Sequence, residues 1–104
     1  MTWIRACSVD ELDDGDALRL DTTPPIAVFN VEGEFLALAD VCTHGQSSLA
    51  DGYIEGGQVE CAWHFAKFDL RTGAALTLPA TAPLCTYQVR IDGSDVMVEA
   101  PDEN

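Results

Sequence analysis

The chain has 104 residues, 47% hydrophobic and 22% charged, with a formal net charge of −13. That length suits one domain with a modest core that needs no disulfides. Five basic residues against eighteen acidic ones argue against nucleic acid or anionic membrane as a partner, and no apolar run approaches a membrane span.

The start, MTWIRACSVDEL, has neither a basic n-region nor an apolar h-region, so a cytoplasmic protein without a secretory signal is expected. In that compartment paired cysteines are more often metal ligands than bridges. The acidity has two readings, a solubilising surface or steering toward a partner with a basic patch. Charge alone leaves both open.

In chain order the pattern is one of short strands between turn signals. SVDEL is the best helical candidate, with Ser8 and Glu11 at capping-box spacing, and DDGD ends it within a turn or so. ALRLD reads as a strand before the TTPP corner. IAVFNV and FLALAD flank EGE as a hairpin. YIE and VEC flank Gly56-Gly57 as a second, because consecutive glycines tolerate the positive φ of tight turns. KFDL leads into the RTG turn, and CTYQVRI and DVMVEA flank DGS as a third hairpin.

Alternation in CTYQVRI predicts Cys85, Tyr87, Val89 and Ile91 on one face of a half-buried strand, which makes Cys85 a core thiol. The tail PDEN is expected to fray. The whole reads as about nine or ten short strands in an all-β antiparallel sandwich or barrel. Residues 41–80 have shorter strands and loops richer in Gly, Ser and Pro. They are expected to form a small site-bearing lobe within a basal scaffold of residues 1–40 and 81–104.

The chain's two histidines each follow a cysteine, as Cys42-x-His44 and Cys61-x-x-His64, with sixteen residues between the pairs. A lone cysteine is ordinarily a small core residue. Two such pairs in turn-rich segments instead make a complete four-ligand set for zinc or iron. Zinc fingers place both cysteines in one knuckle and both histidines on a helix, and neither segment here leads into a convincing helix. A Rieske [2Fe–2S] centre needs two thiolates on one iron and two imidazoles on the other, and each segment offers one of each.

C-x-H followed further on by C-x-x-H resembles the Rieske motif. Carried over by position, the resemblance implies Cys42 and Cys61 on the inner iron and His44 and His64 on the outer iron of one [2Fe–2S] cluster. Gly45 suits a backbone passing close to the cluster. LPATAP, with Pro79 and Pro83, resembles the family's proline-containing covering loop, and Trp63 and Phe65 would shield the site or pack the lobe.

Respiratory-chain Rieske proteins also carry a cystine, at positions that here hold Ser47 and Trp63, and a Ser and a Tyr that hydrogen-bond cluster or ligand sulfur, where this chain has Ala66 and Phe68. Hydrogen bonds to sulfur stabilise the added electron, so their loss lowers the potential. A potential at the low end of the general Rieske range is expected, on the order of −150 mV.

Over nearly its whole length the chain resembles the small Rieske ferredoxins of bacterial aromatic ring-hydroxylating dioxygenases, on FNVEGEFLAL, CTHG, DGYIEG, FDLRTGAAL and LPAT. It especially resembles those of 3-phenylpropionate or cinnamate systems, with biphenyl and naphthalene types as near cousins. It departs from them at Ala62, usually Pro, and Phe65, usually Gly.

The resemblance implies a monomeric one-electron carrier, not itself an enzyme, meeting a flavoprotein reductase and a terminal oxygenase in transient complexes. The chain has no G-x-G-x-x-G for a nucleotide and no spare histidine for an oxygen-activating iron. Asp40, Asp51, Glu55 and Glu60, against Lys67, would set docking orientation or stand as solvated loop charges. Two rivals remain: a structural zinc module for protein binding, and a Rieske subunit held permanently in a nitrite-reductase-like enzyme.

Overall fold

The structure, a computed structural model, describes residues 2–22, 24–40, 48–61, 66–77 and 84–101. Ten strands run through them: β1 (Thr2–Ser8), β2 (Ala17–Leu20), β3 (Ile26–Val31), β4 (Glu34–Ala39), β5 (Tyr53–Glu55), β6 (Gln58–Glu60), β7 (Lys67–Asp69), β8 (Thr86–Tyr87), β9 (Val89–Asp92) and β10 (Asp95–Ala100). All pairings are antiparallel, in sheets of order β1-β10-β9, β2-β3-β4-β8 and β5-β6-β7. The all-β expectation holds, and the expected tail PDEN lies, from Asp102 on, outside the described residues.

The β2-β3-β4-β8 sheet is the middle layer, because β3 is buried on both faces. The two-residue side-chain period of a strand sends alternate residues to opposite sides. Ile26 and Val28 join Cys7, Val96 and Val98 in a core against the β1-β10-β9 sheet. Ala27, Phe29 and Val31 join Val59, Phe68 and Leu70 in a second core against the β5-β6-β7 sheet. Each large apolar side chain withdrawn from water there stabilises the fold by roughly 1.5–3 kcal/mol.

The hairpins follow from their turn residues. Glu32 and Gly33 join β3 to β4 with φ of 53° and 87°, and Gly56 and Gly57 join β5 to β6 with φ of 58° and 77°. Positive φ at both central residues is the type I′ condition, whose twist matches that of the strands. After β7, the Asp69 carboxylate accepts the Arg71 and Thr72 amides at 2.8 and 3.0 Å, an Asx turn that shapes the RTG bend.

Three expectations are corrected. SVDEL is not helical: Glu11 accepts the Ser8 amide at 2.9 Å, and Ser8 O accepts the Glu11 amide at 3.0 Å. That is a capping-box contact used to turn the chain out of β1. Strand β1 itself, not anticipated, contains a bulge at Ala6, where the register slips between Arg5↔Met97 and Cys7↔Val96. The bulge lets Ile4 and Cys7, three apart in sequence, face the same core as Val98 and Val96, two apart.

The third correction concerns CTYQVRI, which is two strands. Thr86 and Tyr87 pair with β4 of the middle sheet, whereas Val89–Asp92 pairs with β10 of the outer one. The chain changes sheets at Gln88, whose carbonyl accepts the Glu99 amide at 2.9 Å. Tyr87 and Val89 are half-buried, but Cys85 is exposed and so is Ile91. The crossing moves both ends of the segment past the margin of the core, so Cys85 is not a core thiol.

Candidate metal centre

Of the four expected ligands the described residues include Cys61. Cys42, His44 and His64 lie outside them, as do Gly45, Ser47, Ala62, Trp63, Phe65, Pro79 and Pro83. The residues that flank the segments carrying them are fastened to one another and to the scaffold.

The first segment leaves the scaffold at Asp40 and rejoins it at Ser48, where a 3-10 turn (Leu49–Asp51) follows. Asp40 O accepts the Leu49 amide at 2.6 Å. Ser48 Oγ lies 2.8 and 2.7 Å from the two Asp40 carboxylate oxygens and donates its proton there, and the Ala50 amide donates to the same carboxylate at 3.0 Å. Asp40 is 1% exposed. It is neither a docking charge at the surface nor a solvated loop charge, as the sequence suggested, but a buried fastening between the two ends of the first ligand segment.

The second segment is fastened by its backbone: the Cys61 amide donates to Ala66 O at 2.7 Å. The proline-bearing third segment is held where the Leu84 amide donates to Gly73 O and the Leu76 amide to Lys67 O, each at 2.8 Å. Leu49, Cys61, Ala66 and Leu84, one or more residues from each anchor, all belong to the core beneath the β5-β6-β7 sheet. The described residues that flank the three segments therefore meet at one dry cluster of side chains.

Glycines make the anchors close-fitting. A Cβ at Gly52 would run into the Glu60 carbonyl, and one at Gly73 into the Leu84 carbonyl. The first contact packs the exit of the first segment on the start of the second, and the other packs the β7 turn on the exit of the third. The sequence marks Gly73 only as part of the RTG turn and Gly52 only within DGYIEG; the close approach itself is a tertiary contact, which spacing does not carry.

The donor chemistry fits an iron–sulfur cluster at its inner side. Cys61 is fully buried, among apolar neighbours that exclude water, and a thiolate in such a place is matched by a metal rather than by solvent. Ala66 and Phe68, also fully buried in that cluster, have no hydroxyl to give a sulfur. Outside the core, Tyr53, Glu60 and Lys67 stand in register across β5, β6 and β7, with Tyr53 66% exposed. Asp51, Glu55 and Lys67 are likewise exposed, which suits docking charges and solvated loop charges alike. No helix among the described residues is long and apolar enough to cross a membrane.

Comparison with known proteins agrees with this construction. The Rieske [2Fe–2S] domain family matches residues 2–88. A protein of Shigella boydii serotype 4 (strain Sb227), the 3-phenylpropionate/cinnamic acid dioxygenase ferredoxin subunit, is 52% identical over 98% of this chain and 97% of its own. Among solved structures, the Sphingomonas yanoikuyae B1 ferredoxin superposes with a TM-score of 0.89 at 37% identity, over 96% of this chain and all (100%) of that one. A chain from the complex of reduced oxygenase and oxidized ferredoxin in carbazole 1,9a-dioxygenase gives 0.89 at 33% identity, over 92% and 91%. By fold, by the family match and by likeness over nearly its full length, the chain belongs to the Rieske [2Fe–2S] family and, within it, to the dioxygenase ferredoxin subunits.

Proposed function

We propose that this protein is a cytoplasmic, monomeric one-electron carrier. Its electron comes from a NAD(P)H-dependent flavoprotein reductase and goes to the terminal oxygenase of an aromatic ring-hydroxylating dioxygenase. By its relatives the parent system is of the 3-phenylpropionate/cinnamic acid type. Cys42 and Cys61 hold one iron and His44 and His64 the other of a single Rieske-type [2Fe–2S] cluster, within a lobe of about residues 41–80. The cluster, when bound, accepts and returns one electron per cycle.

The rest of the work is the scaffold's. Asp40 and Ser48 fasten the two ends of the first ligand segment to each other, and the Cys61–Ala66 hydrogen bond those of the second. The acidic surface steers the carrier toward basic patches on its partners, and both complexes are transient because each must be left within a turnover.

The observation that carries this reading is that Leu49, Cys61 and Ala66, which flank the two Cys-His segments, share one buried core, in a chain similar to dioxygenase ferredoxin subunits over nearly its whole length. A zinc module would share the four donors but not that likeness.

The test is direct. The purified protein should contain iron and acid-labile sulfide and give an EPR signal on reduction. With a flavoprotein reductase and a 3-phenylpropionate-oxidising oxygenase it should support NADH-dependent product formation. Zinc in place of iron and sulfide would overturn the reading.

A further inference from the structure

Asp40 is the one buried carboxylate among the described residues, and its hydrogen bonds do not explain its charge. Ser48 Oγ and the Ala50 amide need an acceptor, which the neutral oxygen of an asparagine would supply equally well. The nearest cation is no close match either. Arg19 Nε stands 3.5 Å from Asp40 Oδ2, shares itself with Asp21 at 3.6 Å, and has a side chain 49% exposed. Removing a carboxylate from water is costly unless a partner compensates. This one is kept two residues before Cys42.

Granting the cluster of the preceding section, we infer that Asp40 is a positioning residue with an electrostatic function. It fastens the ends of the first ligand segment, and its fixed charge holds the reduction potential down, an effect that Arg19 tempers. Reduction adds one negative charge to the cluster. A buried anion nearby opposes that addition more strongly than any solvated acid does, because the interior screens charge weakly. The fifteen other acids and four other cations among the described residues act on the same electron through water or from farther off.

The test is a redox titration of the cluster-loaded protein followed by visible circular dichroism. Asp40→Asn keeps an acceptor for Ser48 and Ala50 and should favour the reduced state about tenfold, which for one electron is 59 mV upward. Arg19→Gln should move the potential down, and Arg19→Lys should restore it. Arg5→Gln removes the same charge from the outer sheet, where Arg5 pairs with Asp95 and Glu11, and should move it much less.

Opposite signs for Asp40→Asn and Arg19→Gln support the inference, because loss of mere structural support would not produce them. An unchanged potential in loaded Asp40→Asn overturns the inference and leaves the carrier reading intact. If that variant does not retain the cluster, Arg19→Gln decides: no fall, or a fall equalled by Arg5→Gln, overturns it. Absence of iron and sulfide from the parent protein would overturn both readings.

Discussion

Gly52 and Glu60 touch through their backbones, so the exit of the first ligand segment rests on the start of the second. A Cβ at Gly52 would collide with the Glu60 carbonyl and would also crowd Leu49 O at 3.1 Å and Val59 Cγ2 at 3.2 Å. Two of these neighbours are backbone oxygens, which cannot rotate aside. Gly52→Ala should therefore push the anchors apart, at the cost of about 1–3 kcal/mol typical of overpacking. Chemical denaturation of the iron-loaded protein measures the loss, and iron release to a chelator should accelerate with it. Unchanged stability and unchanged release would show that the two segments are not coupled through this contact.

The four cysteines should separate cleanly. Cys42→Ser and Cys61→Ser should each abolish iron and sulfide binding, as should His44→Ala and His64→Ala. Cys7→Ser and Cys85→Ser should keep them. In the native loaded protein an alkylating reagent should add a single group, at the exposed Cys85, as counted by intact mass.

Cys7 should react only on unfolding, since burial, helped by the nearby Glu11 charge, pushes its thiol pKa up. A thiol raised in the folded state contributes stability that is complete below the ordinary thiol pKa and lost as pH rises through the folded value. Cys7→Ser should accordingly flatten the alkaline limb of the stability profile. An equal alkaline loss in parent and variant would assign that limb to other groups.

Asp69 acts at the opposite end of the pH scale. The Arg71 and Thr72 amides that its carboxylate accepts hold its pKa below the usual carboxylate range. A depressed carboxylate contributes stability above its unfolded pKa and loses it as pH falls through the folded value. Asp69→Asn should then be less stable than the parent at neutral pH by under about 1 kcal/mol, because the turn faces solvent. The difference should vanish in acid. Urea midpoints at neutral and acid pH measure it, and a difference that persists in acid would point to geometry rather than charge.

Much of the fold was legible because its signals are local. The Gly33, Gly57 and Gly93 turns lie where paired apolar runs meet, and all three adopt positive φ. The Cys-His pairs were legible for another reason, since spacing alone marks a ligand set. What stayed hidden depends on distant parts of the chain. Alternation through Cys85–Ile91 is unbroken in sequence, yet the strand changes sheets at Gln88 because β4 and β10 each claim one half. Asp40 resembles any acid beside a loop until Ser48 and Ala50 close over it. Gly52 looks like a loop glycine until Glu60 arrives eight residues later.

Ala66 and Phe68 give the last prediction. Both are fully buried beside Cys61 in one core, so a hydroxyl placed on either would have few acceptors other than sulfur or backbone. Ala66→Ser adds one small donor where Ala66 O already receives the Cys61 amide. A donor to sulfur stabilises the reduced state, so the potential should rise, by about 59 mV for a tenfold change in the one-electron equilibrium. Phe68→Tyr tests the same idea with more risk, because an unpaired hydroxyl in that core would cost roughly 1–3 kcal/mol. The two readouts separate the outcomes. A raised potential with stability retained means the new hydroxyl has found sulfur, whereas lost stability at a fixed potential means it has found nothing. If both variants keep the cluster and full stability and neither raises the potential, a hydroxyl at these two positions does not set it.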